Sequence, residues 1–242
     1  MTLQIYYWPV PLRGNFIKLL LEDANVPYRV APPEDVAALK NLDLDEQKLA
    51  GMAPPYLYDD KRNVFLNQTP VILEYLAITY GYATDDLYKS LVASKVAHDC
   101  MDVIVDLTNS NGIKMWNRED WFQFKTERFP RWLQIFEAVG KKFGLTEKEG
   151  YLLGTKEPTY ADTTVLALLA TMRQCLPELA ELVQPNAPLV DALCDRMGRR
   201  ARIRVFLDRQ KQALGDLYCG GDIERSIRDM IRQDREENKD SA

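Results

Sequence analysis

The chain has 242 residues and a formal net charge of −5, with 46% apolar and 28% charged residues. That balance gives one large or two small globular domains a sizeable core, and its acidic sign argues against a polyanion partner such as duplex DNA. No run of about 18 apolar residues is present to span a membrane, and Met1–Tyr6 lacks the basic-then-apolar order of a signal peptide.

Leu3–Trp8 reads as a strand stopped by Pro9, and a turn over Pro9–Gly14 follows. Asn15 reads as the N-cap of a helix over Phe16–Ala24, and Val26–Val30 as a short strand. A polar helical segment runs from Pro32-Pro33 towards Ala50. Tyr56–Asp60 and Asn63–Leu66 form a hairpin across a polar turn. Thr69 then reads as an N-cap, with Pro70 at the first position of a helix through Ala77. The order βαβ then ββα predicts a small mixed α/β unit.

Gly81–Asp86 reads as a linker. Beyond it the pattern is helical throughout, with amphipathic stretches over 87–111, 118–143, 160–175, 186–197 and 199–214. Thr159-Tyr160-Ala161-Asp162 is a capping box opening one of them. In the charged tail 220–242, Ile223, Ile227 and Ile231 recur every four residues. Two readings stay open there: a helix with one thin apolar stripe, or a frayed, solvated end.

Cys100, Cys175, Cys194 and Cys219 are too sparse for a disulfide framework and read as reduced intracellular thiols. The lone histidine, His98, leaves nothing from which to build a His-rich metal site and reads as a core or boundary residue.

Three features converge at one end of the predicted sheet: Tyr7-Trp8, Ala53-Pro54-Pro55-Tyr56-Leu57, and Asn67-Gln68-Thr69-Pro70. A phenol at a strand end can donate a hydrogen bond to a thiolate and favour its charged form. A proline before a strand, if cis, turns the preceding residue's backbone outward to meet an extended peptide. The Gln68-Thr69 helix start offers amides, a hydroxyl and a positive dipole end to a carboxylate. Taken singly, these are strand aromatics, a loop dipeptide and an N-cap; their order and spacing give them weight.

Over nearly its whole length the chain resembles the cytosolic glutathione transferases of the tyrosine type. The resemblance is carried by Tyr7-Trp8 with Arg13-Gly14, by Pro55–Asp59, by Gln68-Thr69 with Val71–Leu76, by the Thr159–Asp162 box and by Arg202–Leu207. It implies a thioredoxin-like, glutathione-binding domain over 1–81 and an all-helical domain with the second-substrate pocket over 87–219, followed by the tail 220–242. It further implies a cytoplasmic, metal-free homodimeric detoxification enzyme that joins the glutathione thiolate to a small apolar electrophile. Carried over, Tyr7 activates the thiolate and residue 54 meets the cysteinyl backbone. Gln68 and Thr69 hold the γ-glutamyl end, Lys48 reaches the glycyl carboxylate, and Trp8 and Arg13 flank the site.

Three departures have physical consequences. The Tyr7–Arg13 loop is about two residues longer than the family's, which displaces the phenol and makes Asn15 a reserve donor. Pro54 has no N–H to offer the ligand. Thr69 adds a methyl group where the family has Ser. Pro54, the longer loop and the charged tail support a rival reading, a transferase-fold binding or interaction protein with little catalysis. A third reading is a glutathione-dependent disulfide or peroxide reductase; with no cysteine near the first helix, it has to rely on the thiol of glutathione itself. The aromatic stretch Met115-Trp116, Trp121-Phe122 and Phe124 reads equally as a pocket wall, core or interface.

Overall fold

The computed structural model describes residues 3–240, with side chains through Glu237; residues 1–2 and 241–242, at the ends of the predicted ranges, lie outside the described residues. β1 (Leu3–Tyr6), β2 (Tyr28–Val30), β3 (Tyr56–Asp59) and β4 (Val64–Asn67) form one sheet in the order β2-β1-β3-β4. β1 runs parallel to β2 and antiparallel to β3, with Ile5 opposite Leu57 and Tyr6 opposite Tyr56. The alternation in β1 turns Leu3 and Ile5 into the core.

α1 (Leu12–Asp23) is buried around most of its circumference because it is sandwiched. It packs on α3 (Thr69–Tyr80) and on the helix Tyr160–Cys175. Only a helix rich in apolar residues on every side, here Phe16-Ile17 and Leu19-Leu20-Leu21, suits that position. α1 begins four residues earlier than the sequence suggests. Its N-cap is Pro11, so Asn15 lies inside the helix, fully buried and bonded to Thr171 Oγ1 (2.8 Å) and Gln210 (2.6 and 3.0 Å). Asn15 is thus a polar rivet between the two halves of the chain and has no capacity left as a reserve donor.

α2 (Pro33–Asn41) ends well short of Ala50, and turns fill the gap. Gly81 closes α3 with φ 82°, and Asp86 caps α4 (Leu87–Leu107) by accepting from Lys89 N–H at 3.0 Å. The rest is helical apart from turns and a helix-free stretch over 143–159. Arg118–Gln123 continues through a single wider turn, Phe124–Arg128, into Phe129–Lys142; Tyr160–Cys175, Pro188–Gly198 and Ala201–Leu214 follow.

The capping box forms as the sequence predicts. Asp162, fully buried, accepts from Thr159 N–H (2.7 Å), Thr159 Oγ1 (2.9 Å) and Leu152 N–H (2.7 Å). The two halves are further joined by Asp23, which accepts from Tyr82 Oη (2.7 Å) and Arg200 Nε (2.6 Å).

The tail resolves in favour of a docked helix, Gly221–Asp240. Ile227 and Ile231 are buried, and two carboxylates of the polar side, Glu224 and Asp234, are anchored while Asp222, Arg225 and Arg232 stay exposed. Glu224 Oε2 accepts the N–H groups of Tyr218, Cys219 and Gly220. Asp234 accepts from Arg118 (2.7 Å), Trp121 Nε1 (2.9 Å) and Lys125 (2.9 Å). Burial opposes ionisation at both carboxyls, yet these donors hold them below their ordinary values of 4.5 and 3.8. No helix among the described residues is long and apolar enough to cross a membrane.

Candidate active site

A cleft of about 570 Å³ opens between the sheet end and α4. One wall carries Pro54, Pro55, Gln68 and Thr69; Arg13 and Asn111 stand at its side, and α4 supplies the facing wall. The Pro54-Pro55 bond is cis. Pro54 therefore brings a carbonyl but no N–H to this wall.

The start of α3 differs by one residue from the sequence expectation. Gln68 is the N-cap, with φ 68°, and Thr69 and Pro70 are the first two helical residues. A left-handed glutamine is costly, on the order of 1–3 kcal/mol, and such residues concentrate at binding sites. It leaves Gln68 exposed beside the free amides of the helix start. Thr69 is 2% exposed, and its Oγ1 is buried with no hydrogen-bond partner. An orphaned hydroxyl on a cleft wall, next to a positive helix end, fits an anionic oxygen such as a carboxylate.

Four of the sequence-predicted site residues, Arg13, Pro54, Gln68 and Thr69, therefore share one cleft, while three stand elsewhere. Lys48 is exposed and lies over the Tyr58 ring, 3.8 Å from its centroid. Trp8 is half-buried against the core and does not line the cleft. Tyr7 is 3% exposed and is not among the residues that line the cleft. Its ring rests on Gly14, where any Cβ would stand 2.6 Å from Cδ1, so only glycine admits the ring. Its oxygen accepts the Arg13 N–H at 3.1 Å. Burial pushes the Tyr7 phenol up to about 12, the Arg13 amide and charge pulling against it and nearby Cys219 adding to it. The phenol is thus protonated at neutral pH, with its own proton available as a donor and no capacity to act as a base.

The α4 wall was missed at the sequence level. His98, Met101, Asp102 and Val105 line the cleft from α4 at the i, i+3, i+4, i+7 spacing of one helix face. His98 is exposed, with Nδ1 2.8 Å from the Ser94 carbonyl oxygen, rather than the core or boundary residue its helical context suggested. Arg13 reaches this wall: Nη1 lies 3.1 Å from Met101 Sδ and Nη2 donates to Asn111 Oδ1 at 2.8 Å. Burial tends to lower the Arg13 guanidinium.

Asn111 belongs to an uncommon turn. Asn109, Ser110, Asn111 and Gly112 have φ of 46°, 61°, 56° and 80°, one turn of left-handed helix directly after α4. Such a turn costs about 1–2 kcal/mol per non-glycine residue, and Asn is among the residues that tolerate it. Thr108 Oγ1 accepts the Asn111 N–H at 3.2 Å and Thr108 O the Gly112 N–H at 2.8 Å.

Trp116, Trp121 and Phe124 form an aromatic cluster with Phe129, under the C-terminal helix and away from the cleft. Among the described residues no group of three or more His, Cys, Asp or Glu is placed to hold a metal ion.

A four-stranded mixed sheet with an α/β first part and a helical second part, joined across α1, defines the glutathione transferase fold. Residues 92–230 match the family "Glutathione S-transferase, C-terminal domain", and the chain belongs to the glutathione S-transferase family. Among solved structures it is similar to a Pi-class glutathione S-transferase of Onchocerca volvulus, with TM-score 0.71 and 19% identity over 88% of this chain and 95% of that one. It is also similar to a glutathione S-transferase from Ascaris lumbricoides (TM-score 0.67, 18% identity, 87% and 98% covered). A third likeness is to prostaglandin synthase D of Nilaparvata lugens (TM-score 0.63, 17% identity, 86% and 98% covered). No curated protein matches the sequence.

Proposed function

We propose that this chain binds glutathione in the Arg13–Pro54–Thr69 cleft and transfers its thiolate to a small apolar electrophile. The observation that carries the reading is the buried, unpartnered Thr69 hydroxyl at the positive end of α3, on the wall of a cleft large enough for a tripeptide. In this reading Gln68 and Thr69 hold the γ-glutamyl carboxylate. The Pro54 carbonyl accepts from the cysteinyl N–H. Arg13, tethered at the cleft side, lowers the thiol pKa by its charge. Tyr7 supplies the phenolic proton as a hydrogen-bond donor to the sulfur, keeping that proton throughout. The sulfur forms its bond to the electrophilic carbon as the leaving group departs with its electron pair, and the thiol proton has already gone to solvent on binding. The first 81 residues would hold glutathione and the helices beyond residue 87 would supply the acceptor pocket. A cytoplasmic homodimer with a detoxification role fits the family.

A second reading has its own observation. Tyr7 does not line the cleft and its oxygen already accepts the Arg13 N–H, Lys48 is stacked on Tyr58, and Pro54 lacks an N–H. These fit a binding protein with weak chemistry. Calorimetry with glutathione and conjugation of an aryl halide separate the two. Micromolar binding with turnover that falls in Tyr7→Phe supports the transferase. Millimolar or absent glutathione binding favours the second reading, and micromolar binding sinks it.

A further inference from the structure

The left-handed turn after α4 is held from outside the cleft, and that connection leads to a positioning device. A Cβ on Gly112 would stand 2.5 Å from Ile223 Cδ1, so the C-terminal helix presses on the bare backbone of this turn. Ser226 of the same helix accepts the Trp116 N–H at 2.7 Å, fixing the chain four residues further on. On its other side the turn presents Asn111 Oδ1 to Arg13 Nη2 at 2.8 Å, and the Arg13 amide in turn holds the Tyr7 oxygen at 3.1 Å. A continuous run of contacts therefore links Ile223, Gly112, Asn111, Arg13 and Tyr7. Strained backbone persists only where its surroundings over-determine it, and here they do so from both sides.

We propose that Asn111, held in its left-handed turn by the C-terminal helix, is a positioning residue that aims the Arg13 guanidinium at the bound thiolate. The role rests on the transferase reading for the thiolate, but the aiming itself is a property of the free protein. Among the described residues the Arg13 guanidinium has two hydrogen-bond tethers, Met101 Sδ and Asn111 Oδ1, and the oxygen is the stronger acceptor. Releasing it frees a long side chain to sample rotamers in which its charge is screened by water.

The test uses the full-length chain and three variants. Asn111→Gly keeps the left-handed backbone and removes only the acceptor. Asn111→Asp keeps an acceptor oxygen. Ile223→Ala removes the group pressing on Gly112. The first readout is the nitrogen resonances of the Arg13 guanidinium without glutathione. Resolved, slowly rotating Nη signals are expected in the parent and in Asn111→Asp, collapsed ones in Asn111→Gly, and partly collapsed ones in Ile223→Ala. The second readout is the ultraviolet absorbance of bound glutathione thiolate against pH. Its midpoint should rise by about one unit in Asn111→Gly, since losing a nearby cation disfavours the anion. Turnover at pH 6.5 should then fall roughly tenfold and recover above the new midpoint. Unchanged Arg13 signals in Asn111→Gly overturn the proposal, as does a loss of turnover that is flat across pH. A parent protein with no thiolate band refutes the transferase reading instead, and the Arg13 signals still decide the aiming.

Discussion

Thr69→Val separates binding from stability by moving them in opposite directions. Valine has the shape and branching of threonine, so packing and helix propensity change little. What changes is the hydroxyl, which is buried, unpartnered and on the cleft wall. In the free protein that group bears a desolvation cost of about 1–3 kcal/mol without a compensating bond. Removing it should stabilise the free protein by about 1 kcal/mol, a rise in melting temperature of roughly 2–4 °C for a chain of this size. With ligand bound, the same hydroxyl would donate to a carboxylate, a bond worth about 1.5–3 kcal/mol. Thr69→Val should therefore weaken glutathione binding roughly 10- to 150-fold. Thermal melts of the free protein and calorimetric titration of each form measure the two effects. A variant that melts lower and binds glutathione as the parent does would refute the assignment of Thr69.

Tyr7→Phe should raise the bound thiol's pKa by about one unit or more, cutting conjugation of an aryl halide roughly tenfold at neutral pH. It should also strand the Arg13 N–H that now bonds the phenol, destabilising the protein by about 1–2 kcal/mol in urea titrations. Asp162→Ala leaves three donors without their acceptor, and urea denaturation should register a loss on the order of 3 kcal/mol or more. Acid should loosen the C-terminal helix. Glu224 and Asp234 have lowered values in the folded protein, so their contribution is complete above the unfolded values of 4.5 and 3.8 and is lost as pH falls through the folded ones. Fluorescence of Trp116 and Trp121, which face this helix, should change in that acid window. Glu224→Gln should flatten the change.

Much of the architecture is legible because period and punctuation agree with packing. The capping box at Thr159–Asp162 places a helix start to the residue, since both partners of its reciprocal bonds lie within four positions. The hairpin and α3 are marked by alternation and by Pro70. What escaped notice depends on tertiary contacts. Nothing local marks the start of α1 at Leu12, because Pro11 offers no capping side chain; Asn15 looks like a cap only until Thr171 and Gln210, more than 150 positions away, claim its amide. The tail's thin stripe of isoleucines reads ambiguously until the aromatic cluster and Gly112 are seen beneath it. Half of the site follows the same rule. Pro54, Gln68 and Thr69 announce themselves in sequence, whereas His98, Asp102 and Asn111 face them only because α4 folds back across the sheet end. Asn-Ser-Asn-Gly did carry a signal, since these residues tolerate left-handed backbone, but an apolar period running through position 111 masked it.

The most direct measurement is a crystal structure of the protein soaked with glutathione. The account predicts the γ-glutamyl carboxylate within hydrogen-bond distance of Thr69 Oγ1, and the sulfur between the Arg13 guanidinium and the Tyr7 hydroxyl. An empty cleft at millimolar glutathione, or a tripeptide bound away from Thr69, would contradict it.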